Sequence, residues 1–157
     1  MKRILSLLII LVAFNTTLLS QINTNRVMMM GRNALYYEDY VLAIQRFNSV
    51  ITAKPYLSDP YFFRGLAKFY LEDYAGAESD CTLALNRSPF NAQYYTLRAL
   101  CRVNMEHYSA AIEDYKASLE QNPIEKNNWH NMVICYMEME QFNQADSALN
   151  KMIELWP

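Results

Sequence analysis

Four prolines in this chain of 157 residues stand at one interval, Pro55, Pro89, Pro123 and Pro157, each 34 residues after the last. A fixed interval of this size marks a stacked repeat and removes most single-core folds from consideration. Laid out from Thr24, the chain gives rows 24–57, 58–91, 92–125 and an incomplete 126–157. A second column is Ala43, Ala77, Ala111 and Ala145, and a third is Tyr40, Tyr74, Tyr108 and Phe142. Further columns read Val27, Tyr61, Tyr95, Trp129; Gly31, Gly65, Ala99, Val133; and Phe47, Cys81, Tyr115, Leu149. The tripeptide Glu-Asp-Tyr occurs at 38–40, 72–74 and 113–115, and only the first two copies are in phase. The in-phase counterparts in the last two rows are Glu106-His107-Tyr108 and Glu140-Gln141-Phe142, so glutamate is the one residue common to all four turns.

Each row reads as two antiparallel helices. In row two the first helix runs through "PYFFRGLAKFYL", with Asp59 as N-cap and Pro60 at the first helical position, where its missing N–H costs nothing. The second runs through "AGAESDCTLALN" from Ala75, and the column proline ends it and turns the chain into the next row. Small residues in the Gly31 and Ala43 columns allow a close helix crossing, and the Tyr40 and Phe47 columns fill the space beside it. No row can bury its apolar face alone, so stability is shared between neighbours. Composition agrees with helices: hydrophobic residues make up 52%, with only 3 Gly and 5 Pro. The formal net charge of −2, with no basic run beyond residue 3, excludes nucleic acid as a partner.

These rows resemble the tetratricopeptide repeat, a family of 34-residue helix-turn-helix units, across residues 24–157. The resemblance implies an all-α fold, a right-handed superhelical array of about eight antiparallel helices. Row four departs from the pattern, with Val133 and Met152 where the family prefers small residues, which predicts a looser helix pair there. The resemblance also implies a concave wall built by the first helix of each row, where such arrays hold peptides. Its positions here are Met28, Arg32, Leu35 and Tyr36; Phe62, Leu66, Phe69 and Tyr70; Thr96, Leu100, Val103 and Asn104; and His130, Ile134, Met137 and Glu138. Family members that clamp acidic chaperone tails need a Lys/Asn/Arg set along this wall. Here Phe62, Leu66, Thr96 and Leu100 stand at those positions, so that activity is not expected, and a protein or peptide partner of apolar character is.

Arg64 with Asp80 in row two and Arg98 with Asp114 in row three occupy the same positions, where rows one and four hold Met30 with Arg46 and Met132 with Ala148. Joint presence predicts structural ion pairs between packed helices, within a row or from Asp80 across to Arg98. The cysteines are expected to be reduced and buried: Cys101 and Cys135 lie on successive first helices about 8–10 Å apart, too far for a disulfide. His107 and His130 lie apart, no catalytic or phosphate-binding motif is present, and the methionines at 28–30, 132, 137 and 139 read as core filler rather than metal ligands. No enzyme, no metal and no cofactor is the resulting expectation.

Before the rows, Met1-Lys2-Arg3 leads into the apolar run Ile4–Phe14 and then Asn15–Ser20, the layout of a secretory signal peptide over residues 1–20. The run is too short to span a bilayer as a stable helix, so a periplasmic or secreted bacterial protein is expected; contact with the membrane requires an uncleaved anchor. Leu155 and Trp156 would lie at an open end of the stack. Repeat arrays normally cover such an end, which predicts self-association there, a covering chain, or a longer protein. The leading functional expectation is an exported scaffold; the alternative is an assembly or regulatory arm of a longer membrane-bound signalling protein or enzyme.

Overall fold

The computed structural model describes residues 23–157. The signal-peptide reading of residues 1–20 lies outside the described residues. Among the described residues eight helices follow one another: α1 (Thr24–Tyr36), α2 (Tyr40–Ala53), α3 (Asp59–Tyr70), α4 (Tyr74–Leu85), α5 (Ala92–Asn104), α6 (Tyr108–Gln121), α7 (Lys126–Glu138) and α8 (Phe142–Leu155). They pack as a solenoid in which each helix lies against its neighbours in the chain. Among the described residues there is no strand, and no helix is long and apolar enough to cross a membrane.

Side-chain caps start half of these helices. Asn23, Asp39, Asp73 and Asn91 accept the backbone N–H of Arg26, Leu42, Gly76 and Gln93 at 3.1, 3.0, 2.9 and 3.1 Å. Asp59, expected as the cap of α3, is instead the helix's first residue, with Ser58 before it. The reason is competition for its carboxylate, which accepts the hydroxyl of Tyr94 from the next row.

The glutamate column explains how each pair closes. Glu38, Glu72, Glu106 and Glu140 all adopt left-handed backbone, with φ of 60°, 62°, 62° and 54°. At Glu38 the N–H reaches the Leu35 carbonyl at 3.0 Å and that of Asp39 reaches Ala34 at 2.9 Å. The same two bonds recur at Glu72–Asp73, Glu106–His107 and Glu140–Gln141. This is the Schellman arrangement, which satisfies carbonyls left over at a helix end, with glutamate where glycine is usual. One residue then leads into the second helix.

Two small columns meet inside each pair. Ala43, Ala77 and Ala111 are 0% exposed and Ala145 is 1% exposed. A Cβ on Gly31 would lie 2.6 Å from the Phe47 ring, and one on Gly65 would lie 3.2 Å from the Ala77 carbonyl oxygen, so the aromatic in row one requires its glycine. In row four α7 and α8 still close around Ala145 and Ala148, but Leu149, in the Phe47 column, is 43% exposed.

Junctions between rows are buried by apolar and polar contacts alike. Tyr94, 1% exposed, packs its ring against Phe62 at 4.9 Å and donates its hydroxyl to Asp59, with Ser58 Oγ 3.1 Å from the same oxygen. Burial, reinforced by the Asp59 carboxylate, pushes its phenol up to about 12, so it remains a donor. Tyr61 and Trp129 donate to the carbonyls of Pro55 and Pro123, six residues earlier, at 3.0 and 2.9 Å, fastening the inter-row turns. Cys81, Cys101 and Cys135 are free and buried. Cys81 and Cys101 share one core cluster, a proximity that a comparison of first helices alone does not reveal.

Glutamate in left-handed backbone costs about 1 kcal/mol, partly offset by the greater freedom of glycine when unfolded. Glu106→Gly is therefore expected to stabilise the array by roughly 0.5–1 kcal/mol, read as a rise in Tm of about 2–4 °C. A fall in Tm would show that the glutamate side chain itself supports the turn.

Candidate functional site

A polar lattice fixes the middle of the array. Within row two, Arg64 Nε donates to Asp80 Oδ2 at 2.9 Å and Nη2 donates to Oδ1, while Lys68 Nζ reaches the same carboxylate at 2.9 Å. The third guanidinium nitrogen of Arg64 extends back to Asn48 Oδ1 at 2.7 Å, in the preceding row. Row three repeats the design: Arg98 grips Asp114 through Nε at 2.9 Å and Nη2 at 2.7 Å, and Nη1 reaches Thr82 Oγ1 at 3.2 Å. Arg102 adds a bond to Asp114 Oδ2 at 2.9 Å and reaches Glu78 at 2.7 Å. Asp80 and Asp114 are only 1% and 3% exposed, so these are paired, nearly dry carboxylates. The Arg–Asp pairs run within rows, and the crossings between rows are made by the remaining nitrogens of Arg64 and Arg98 and by the Arg102–Glu78 pair. Lys68 and Arg102 occupy one column, as do Asn48 and Thr82, so the lattice has the period of the chain.

With the first helices held in this way, one face of α1, α3 and α5 encloses a cavity of about 540 Å³. Five of the wall positions anticipated above line it: Arg32, Phe62, Leu66, Thr96 and Leu100. The others lie elsewhere. Met28 lines a separate recess of about 280 Å³ near the start of α3. Leu35, Phe69 and Val103 pack against buried clusters. Tyr36, Tyr70, Ile134 and Met137 are exposed, Tyr70 with its ring stacked on Tyr40 at 5.1 Å. Asn104 donates to the Leu100 carbonyl of its own helix at 2.8 Å, and His130 and Glu138 are exposed.

Sequence reasoning missed Phe63, Ala92, Gln93, Leu97, Ser118, Asn122 and Glu125, which complete the lining. Ser118 comes from a second helix, and Asn122 and Glu125 flank the column proline Pro123, so a rule that assigns the wall to first helices passes over them. Ser118 also belongs to a buried polar knot. Asn128, 0% exposed, donates to Thr96 Oγ1 at 2.8 Å and Ser118 Oγ at 2.9 Å, and Ser118 donates to the Ala92 carbonyl at 3.0 Å.

The comparisons bear on this geometry. Residues 92–125, the span of row three, match the tetratricopeptide repeat family. The chain carries a tetratricopeptide repeat fold. Among solved structures it is similar to a MamA protein, at 16% identity over 90% of this chain and 82% of that one, TM-score 0.83. It is similar also to MamA residues 41 to the end from Desulfovibrio magneticus RS-1, at 19% identity over 85% and 75%, TM-score 0.79. A third, the first tetratricopeptide domain of Spaghetti (RPAP3) bound to an HSP90 peptide, shares 24% identity over 74% of this chain and 93% of that one, TM-score 0.73. No curated protein matches the chain. Like these neighbours, the array is an all-α solenoid.

Asp114→Asn leaves Arg98 and Arg102 without their shared carboxylate and is expected to cost about 3 kcal/mol. The exposed pair Lys116–Glu113, 2.9 Å apart, provides the contrast. Glu113→Gln should change stability by no more than about 0.5 kcal/mol. Urea unfolding followed by circular dichroism checks both, and equal costs would show that the lattice is no stronger than a surface pair.

Proposed function

We propose that this chain is a non-enzymatic scaffold that holds a segment of a protein partner in the groove between Arg32 and Leu100. The supporting observation is the convergence of α1, α3 and α5 on one open cavity whose floor is apolar and aromatic, of a volume suited to a few side chains. A neighbour of similar fold is bound to an HSP90 peptide, which supports a peptide as the kind of occupant. The occupant here is of another chemistry, because Phe62, Leu66 and Leu100 offer apolar surface and Thr96 a single hydroxyl.

Leu66 lines the cavity and is only partly buried, so Leu66→Asp should fold while losing the groove's apolar floor. Peptides selected from a random library on the wild-type array are expected to bind the variant at least about tenfold more weakly. Unchanged affinity in fluorescence anisotropy would place the contact elsewhere.

Location belongs to the same reading: the scaffold works outside the cytoplasm, in the periplasm or beyond it. The support is the charged start, the apolar run Ile4–Phe14 and the polar stretch that follows. The expected mature N-terminus follows Ser20, and protein recovered from the cytoplasm with Met1 intact would overturn export.

A further inference from the structure

Arg32 and Glu125 stand at opposite ends of the groove, one contributed by row one and the other by the turn after row three. Arg32 is exposed, its guanidinium is held 4.9 Å above the Phe63 ring, and among the described residues no carboxylate pairs with it. That distinguishes it from Arg64, Arg98 and Arg102, whose charges are spent on Asp80, Asp114 and Glu78. Glu125 has no cationic partner among the described residues either.

The Glu125 end is rich in acceptors. Thr96 and Ser118 line it, and their hydroxyls bond to each other at 3.0 Å. Behind them Asn128 spends its amide N–H groups on these two oxygens, leaving its own Oδ1, fully buried, without a donor. Between the two ends the lining is Phe62, Leu66, Leu97 and Leu100.

We infer that the groove is polarised and selects a protein segment with an apolar centre, an acidic group on the side that meets Arg32, and a cationic, donor-rich group on the side that meets Glu125. This rests on the groove reading above and specifies the partner's chemistry. Neither charge is consumed by folding, and opposite charges at the two ends disfavour a uniformly acidic or uniformly basic segment, because one of its ends meets a like charge. The apolar centre supplies most of the affinity, and the two charges supply the selection.

Three capped peptides with a common Leu-Phe-Leu core test this. One carries aspartates on one flank and lysines on the other, one has aspartates on both, and one has lysines on both. In 50 mM salt the mixed peptide is expected to bind about tenfold more tightly than either like-charged peptide, with the advantage shrinking as salt is raised. Arg32→Glu should transfer the preference to the lysine peptide, and Glu125→Lys should transfer it to the aspartate peptide. Circular dichroism confirms folding of each variant. Binding of all three peptides with equal affinity, or variants that leave the order unchanged, would overturn the polarised selection while the groove reading stands. Binding of none would overturn both.

Discussion

The approach of two helices at the Ala43, Ala77, Ala111 and Ala145 column is the contact on which the rest of the structure depends. A methyl group is the only side chain there, and at the facing positions of rows one and two even a methyl would collide or crowd, with the Phe47 ring at Gly31 and the Ala77 carbonyl at Gly65. Close crossing leaves room beside it for one large residue per row. Phe47 and Tyr115 occupy that room at 0% exposure. The turn that makes the crossing possible is equally constrained, since the chain reverses through a single residue in left-handed backbone. In row four the same column, at Leu149, is half open.

On this frame the ion pairs set the spacing of rows two and three. A bidentate guanidinium–carboxylate contact tolerates little change in angle, and its third nitrogen binds the row before it, so Arg64 and Arg98 each tie three helices together. The groove lies on the helices that this lattice holds. Its floor is therefore carried by rigid elements, a property that favours binding of a segment without large rearrangement. Rows one and four lack an Arg–Asp couple of their own and have Met30 and Met132 at the arginine position.

Much of this was legible in the residues. Period, row boundaries, helix pairs and the small and large columns are all properties of single positions repeated along the chain. Asp59 was misread as a cap because its carboxylate is taken by Tyr94, which lies 35 residues away, and local capping rules consider only neighbours. The wall was legible in part for a related reason. Arg32, Phe62, Leu66, Thr96 and Leu100 share a cavity, whereas Leu35, Phe69 and Val103, at wall positions of the same helices, do not line it. A helix position states which face a residue is on, not how far the neighbouring row reaches across it.

By itself the sequence determined the repeat, because a 34-residue period in prolines, alanines and aromatics admits one way of stacking helix pairs. It also indicated that an Arg–Asp couple would join packed helices, since both members appear or vanish together. Tertiary structure alone decided that the couples close within rows and that Asn48 and Thr82 take the remaining nitrogens. It also decided that Ser118, Asn122 and Glu125 complete the groove from outside the first helices. Those choices depend on distances between rows, which arise from the summed rotation of successive helix pairs and are written at no single position.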